Sequence, residues 1–281
     1  MPDLKFTFNR ALSRDDESSI IARSHINSTY IFLEELAAGE FGTIYNAAIN
    51  SLTGEDSNRF FAVKLLCKDG NITKSPNMNQ MIDSLEIVKS IDHPNIVSFR
   101  ECYKNDDKVY TVHEYLSGPD LDQYFIDNQG HMPERKLKSF MFQLLQALAC
   151  LHSRRIGHFD IKPENCMLMS DDSHIVKLLS FSHAQIVYHG HHCRVNIKNF
   201  KFAAPEAVAC KYGLEADIWS VGVMMYYFMT AEYPFYDEHD GQLCEMILDG
   251  GFDQKKITEN SSFTEEVKEL VLIDAVKRSK T

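Results

Sequence analysis

His158-Phe159-Asp160-Ile161-Lys162-Pro163-Glu164-Asn165 is the stretch on which the reading of this chain turns. It places a carboxylate, an ammonium and an amide on one short loop. That set supplies a base for a hydroxyl, a cation for a transferring phosphate and an amide ligand for a metal ion.

Two weaker motifs precede it in the order that phosphate chemistry would need. Leu36-Ala37-Ala38-Gly39-Glu40-Phe41-Gly42-Thr43-Ile44 carries glycines in a predicted hairpin, where backbone N–H groups can approach phosphate oxygens. By itself a glycine pair of this kind is more often only a turn. Phe61-Ala62-Val63-Lys64 would put an ammonium beneath that hairpin, although an isolated strand lysine is usually a solvated surface residue. The two β-rich stretches are joined by the turn-prone Ser51-Leu52-Thr53-Gly54-Glu55-Asp56-Ser57. Residues 78–91 space their apolar positions as a helix, and strand-like runs follow around 96–102 and 108–115. Gly118 and Pro119 then break the pattern.

Beyond that break the period is helical. Residues 135–152 read as a long, mostly buried helix, two short strands are expected around 166–179, and the apolar segment 217–229 reads as a core helix. Residues 1–29 are polar and without clear period, and read as a flexible or loosely docked extension. The fold class is α+β, with a β-rich N-lobe at 30–117 and a mainly helical C-lobe at 118–281.

The 281 residues exceed what one core usually serves, so one two-lobed unit or two small domains both fit. A net charge of −11 opposes general binding to nucleic acid or to an anionic membrane. The longest apolar run, Val221 to Met229, is about half of a bilayer span. Seven scattered cysteines without CxxC spacing read as reduced thiols, which points to the cytoplasm, with the nucleus as the other compartment. His189, His191, His192 and Cys193 are metal-ligand types, but they are bunched and lack a second pair at zinc spacing, so a solvated loop is the better reading.

With these motifs in place, residues 30–278 resemble the protein kinases. Ala204-Pro205-Glu206, Asp217-Ile218-Trp219-Ser220-Val221-Gly222 and Lys277-Arg278 extend the match. Within that family the chain is similar to the calcium/calmodulin-dependent group, and most to the death-associated protein kinases. The resemblance implies ATP as cofactor and a protein substrate or partner. It assigns the phosphates to Lys64, the substrate hydroxyl to Asp160, γ-phosphate charge to Lys162 and a metal contact to Asn165. Leu36, Gly39, Gly42, Ile44, Ala62, Glu114 and Met167 would surround the nucleotide, with Asp120 at the ribose. Glu206 would pair with Arg278, and Asp217 would tie the catalytic loop to the C-lobe. Val88, Phe99, His158 and Phe181 match an apolar stack that joins the lobes in active kinases.

The pattern breaks where magnesium should bind. Ser180-Phe181-Ser182 stands at the position of the family's Asp-Phe-Gly, and a neutral hydroxyl is a poor partner for a hard dication. Counting back from His93-Pro94, the glutamate expected to pair with Lys64 is Ser84. Asp83 and Glu86 are near in sequence but point elsewhere at about 100° per residue. Gln80, one turn earlier on the same face, is the substitute, and a shifted register would rescue Glu86. Ala37 replaces a loop glycine, Lys198-Asn199 replaces the usual Gly-Thr, and His113 sits at the gatekeeper position. Phe159 stands where many kinases carry an arginine that clamps a phosphorylated loop. Death-associated kinases carry Phe there and are active, so it implies regulation without that clamp and not inactivity. The stretch from His183 to Ala203 offers only Tyr188 for phosphorylation. Together these departures lead to the expectation of a pseudokinase, a binding or allosteric module with impaired magnesium handling. The alternatives are a divergent serine/threonine kinase with Asp160 as base and little magnesium dependence, and a nucleotide sensor that binds ATP without turnover.

Overall fold

Short runs rich in aromatic and β-branched residues, bounded by turns, make the first part of the chain a sheet. The computed structural model describes residues 21–22, 26–39, 42–50, 59–67, 87–104, 108–193, 195 and 200–269. Two compact units emerge, residues 1–78 with 99–115 and residues 79–98 with 116–281.

In the first unit, β1 (Ile21–Ala22), β2 (Tyr30–Gly39), β3 (Gly42–Ile49), β4 (Phe60–Cys67), β5 (Phe99–Lys104) and β6 (Lys108–Glu114) form one sheet in the order β1-β5-β6-β4-β3-β2. Strands β2 to β6 pair antiparallel, and β1 lies parallel to β5 with Ile21 opposite Cys102. The hairpin β2–β3 closes at Gly39 and Gly42, and Gly42 takes φ 110°, a value that a side chain would resist. Two register shifts bend β2 between Phe32 and Ala37.

Register decides which face does what. The rows Phe32–Ala47–Phe61 and Val63–Val112 point to one face, where Ile26, Tyr30, Ala47, Phe61, Val63, Tyr103 and Val112 form the core. Ile26 belongs to a helical turn, Ile26–Thr29, whose last carbonyl accepts from the Asn50 N–H at 2.7 Å. The end of the expected extension is thus packed on the sheet. The rows Ile44–Lys64–Thr111 and Asn46–Ala62–His113 point the other way.

The second unit is built on helices. Glu134–Ser153 buries Leu137, Phe140, Met141, Leu144, Ala147, Leu148 and Leu151, a 3–4 spacing that places one face inward. Each large side chain so buried contributes roughly 1.5–3 kcal/mol over its exposed state. Glu215–Thr230 is buried nearly all round, as its unbroken apolar run predicts. The helices Leu121–Asp127 and Asp240–Asp249 and the short turns Pro205–Val208 and Lys255–Thr258 complete the set. Four short strands sit among them in two pairs: β7 (Ile156–Gly157) with β10 (Gln185–Ile186), and β8 (Cys166–Leu168) with β9 (Val176–Leu178).

Residues 95–97 run beside β9. Leu178 N–H donates to the Asn95 carbonyl at 2.9 Å, and Val97 N–H donates to the Leu178 carbonyl at 3.0 Å. The Asn95 amide also donates to Gln143 Oε1 at 2.8 Å and to the Val176 carbonyl at 2.9 Å. These bonds explain why a segment lying between β4 and β5 in sequence belongs to the second unit.

Candidate active site

The loop between β7 and β8 is shaped by its buried anchors. Asp217, 1% exposed in the first turn of Glu215–Thr230, accepts from the His158 N–H at 2.9 Å and the Phe159 N–H at 2.7 Å. Its Oδ2 also meets His152 Nε2 at 2.9 Å. A buried carboxylate is tolerated because its lone pairs are taken. Phe159 follows with φ 63°, and its ring meets Tyr212 edge-on at 5.2 Å. A Cβ on Gly157 would lie 2.2 Å from the Phe159 ring, so glycine is required there by close approach.

His158 is fully buried. Its Nε2 donates to the Leu179 carbonyl at 2.8 Å, while Nδ1 accepts the Asp160 N–H at 3.2 Å. That pairing fixes a neutral ring with its proton on Nε2, and burial holds the pKa below the ordinary histidine value.

Asp160, Lys162 and Asn165 come together as the sequence predicted. Asn165 Nδ2 donates to Asp160 Oδ2 and to the Asp160 carbonyl, both at 2.7 Å. Lys162 Nζ lies 3.1 Å from Asp160 Oδ1. The 3₁₀ turn Pro163–Asn165 sets this geometry, and the Leu179 N–H donates back to the Asn165 carbonyl at 2.8 Å.

Ser180 follows Leu179 in the left-handed region, φ 61° and ψ 67°, a strained setting for a serine that costs on the order of 1 kcal/mol. It is half-buried, and the next residue, Phe181, packs its ring edge on His158 at 5.0 Å. Val88, His158 and Phe181 are all buried in this unit. Phe99 lies in the first unit, edge-on to His113 at 5.6 Å. Asp120 Oδ1 caps the helix Leu121–Asp127 by accepting the Gln123 N–H at 2.8 Å, and Asp120 bridges Met167 across the backbone.

On the sheet, Ile44, Ala62 and Lys64 share the face opposite the core, as just described. Gly39 and Gly42 close the hairpin, Leu36 on β2 is exposed, and Glu114 ends β6. Gln80, Asp83, Ser84 and Glu86, Lys198 and Asn199, and Arg278 lie outside the described residues. His189, His191 and His192 are exposed, and among the described residues no three His, Cys, Asp or Glu side chains gather as a metal site.

Sequence reasoning missed two things. The need for Gly157 is one; its signal was a small residue directly before the His158 loop. The other is the polar row Asn46–Ala62–His113, visible only once strand register is known.

A glycine-closed hairpin leading into a lysine-bearing sheet, with a helical unit carrying the Asp160–Lys162–Asn165 loop, defines the class of protein kinase folds. The match of residues 30–276 to the protein kinase domain agrees, and the chain belongs to that family. It is 30% identical over 259 residues to serine/threonine-protein kinase cds1 of Schizosaccharomyces pombe, covering 88% of this chain and 54% of that protein. It is 32% identical to the human serine/threonine-protein kinase ULK3, covering 78% of this chain and 45% of that one. Against the human serine/threonine-protein kinase D2 the values are 34% identity, 74% and 23%. The chain thus spans about half or less of the length of these relatives. Among solved structures, the autoinhibited serine kinase domain of the giant muscle protein titin superposes with a TM-score of 0.77 at 26% identity, covering 92% of this chain and 77% of that one. No helix among the described residues is long and apolar enough to cross a membrane.

Proposed function

We propose that the chain is a pseudokinase, a signalling module that binds a protein partner and carries out little or no phosphoryl transfer. The observation that carries this reading is Ser180, a neutral hydroxyl where the family places its magnesium carboxylate. The remaining donor set fits magnesium poorly. Asn165 donates through Nδ2 to Asp160, which leaves its Oδ1 as a single neutral oxygen donor, and the Asp160 carboxylate is itself engaged by Lys162. Hard dications want several free carboxylate oxygens. Without that charge neutralisation, transfer loses orders of magnitude in rate.

The residues fit ATP better than they fit the metal. Gly39, Gly42, Ala62 and Lys64 would take its phosphates and base, so metal-independent binding that biases the state of the protein belongs to this reading. Lys64 would hold the α- and β-phosphates, and Asp120 would hold the ribose. The partner is a protein, in the cytoplasm or the nucleus, and Glu164 suits a basic side chain. Similarity of the His158–Asn165 and Asp217 motifs to the death-associated protein kinases supports placing the chain in the calcium/calmodulin-dependent group.

A second reading is favoured by the intact Asp160–Lys162–Asn165 arrangement, which a pure scaffold would not need chemically. It is a divergent serine/threonine kinase in which Asp160 takes the hydroxyl proton.

Thermal shift and peptide phosphorylation, each with ATP in the presence and absence of magnesium, test the proposal. Stabilisation by ATP that does not depend on magnesium, without turnover, is expected. Strong magnesium-dependent phosphorylation that Asp160→Asn abolishes would overturn it. Ser180→Asp should restore magnesium dependence to ATP binding, and aspartate tolerates the left-handed backbone there.

A further inference from the structure

The helix Glu134–Ser153 turns one apolar face into the core, and such a helix should present polar residues on the other. It does so only in part. Phe142 is 62% exposed, Leu145 is 40% exposed, and Ala149 is exposed as well. One exposed apolar residue needs no explanation. These three, however, stand at i, i+3 and i+7. The same alternation of three and four, continued toward the N-terminus, reaches Lys138 and then Arg135, both exposed. That spacing makes the seam by which one helix receives another.

The seam also has a sign. Residues 134–155 hold Arg135, Lys136, Lys138, Arg154 and Arg155 against the lone acid Glu134, in a chain whose net charge is −11. Two of these cations are drawn aside. Lys136 Nζ meets His174 Nδ1 at 2.9 Å, and Arg155 Nε donates to the Val187 carbonyl at 3.0 Å. Lys138 stays at the N-terminal end of the seam with its Nζ 2.6 Å from Glu134, which leaves Arg135 there without an acidic partner among the described residues. At the other end Arg154 turns back along the helix, its Nη1 3.5 Å from Cys150 Sγ. Cations thus flank an apolar middle, and Arg135 to Ala149 covers about 21 Å of helix.

We propose that this outward seam docks a helix of a partner protein, one with apolar residues at heptad spacing between acidic ends. Charge complementarity selects the acidic ends, while Phe142 and Leu145 supply the apolar anchors. A second copy of this chain fits less well. Packed parallel it sets Arg135 against Arg135, and packed antiparallel it sets Arg135 near Arg154, so cation meets cation either way. A nucleic acid or an anionic membrane is opposed by the charge of the whole chain. The seam uses none of Asp160, Lys162 or Asn165, so the proposal goes beyond the reading of the catalytic loop and stands whether or not phosphate is transferred.

The test is fluorescence anisotropy with a labelled synthetic helix of about 18 residues, long enough to span the seam. It carries leucine at heptad spacing and glutamate at both ends, and a counterpart carries lysine in place of each glutamate. At low salt the full chain should bind the acidic peptide about tenfold or more tighter than the basic one. Phe142→Gln should weaken that binding about tenfold, and Arg135→Glu about threefold with a shallower salt dependence. No binding of either peptide, equal affinity for the two, or an affinity that both variants leave unchanged overturns the proposal. Sedimentation of the full chain alone and binding to phosphatidylserine vesicles complete the set. Dimers, or vesicle binding, that Phe142→Gln abolishes would assign the seam to a second copy or to a membrane, and either result overturns the acidic helix. The Tm of the free protein should not change in Phe142→Gln, since the ring lies mostly in water. A marked fall in Tm for both variants would mean that these side chains serve the fold, and would likewise overturn the assignment.

Discussion

The catalytic loop and the Lys64-bearing sheet face treat their polar atoms in opposite ways. Around the loop, Asp217 accepts two backbone N–H groups and a histidine, His158 uses both ring nitrogens, and Asn165 spans Asp160 twice. On the sheet face, Asn46 and His113 each leave a buried atom bare. A satisfied network is held in one arrangement by its own bonds, whereas bare atoms cost free energy until something arrives to meet them. The loop, which the departures from the family pattern would allow to decay, is the better-built of the two regions. Its persistence therefore has a structural cause as well as a chemical one.

The largest expected effect breaks the satisfied side of this comparison. Asp217→Ala strands two backbone N–H groups in the interior and removes the partner of His152, and should lower the free energy of unfolding by about 3–5 kcal/mol in a denaturant titration. Next comes Gly157→Ala, whose new methyl would overlap the Phe159 ring. A loss of about 1–3 kcal/mol is expected. Because the clash needs both partners, adding Phe159→Ala should recover part of that loss, and a double-mutant cycle should read a clear coupling.

The third effect follows from pH. His158 and His113 both have folded pKa values below the ordinary 6.5, so the unfolded chain takes up protons first as pH falls. Stability from the neutral rings is complete above about 6.5 and declines as pH drops through that value toward the folded ones. For His113 the decline should run down to about pH 4, and His113→Leu should flatten the curve over that window while leaving stability at pH 8 equal or higher. A slope that does not change would mean that the ring of His113 is not held neutral. The smallest effect is at Ser180. Ser180→Gly removes left-handed strain and should raise stability by about 0.5–1 kcal/mol, partly offset by the greater freedom of glycine in the unfolded chain.

Much of the architecture could be read from local pattern. The helix expected over 135–152 spans Glu134–Ser153, and the core helix expected over 217–229 spans Glu215–Thr230. Apolar spacing reports these directly, since both bury a face through contacts a few residues apart. The grouping of Asp160, Lys162 and Asn165 was legible for the same reason, as all three sit on one turn. What stayed hidden depends on distant partners. Residues 95–97 join β9 across eighty residues of chain, and no local period signals it. The Asn46–Ala62–His113 row needs the register of three strands, and a slip of one residue would turn every member to the opposite face. Ile26 looked like part of a polar leader because a single apolar residue makes no pattern.

Phe159 and Tyr212 carry one more consequence. Cys193 and Tyr212 exchange both of their backbone hydrogen bonds, at 3.0 and 3.2 Å, and the Phe159 ring supports Tyr212 from the loop side. Ring contact and amide pairing are themselves uncharged contacts, with no charge for salt to screen. The position of the segment they hold should be the same in dilute buffer and at high ionic strength, and untouched by a phosphatase.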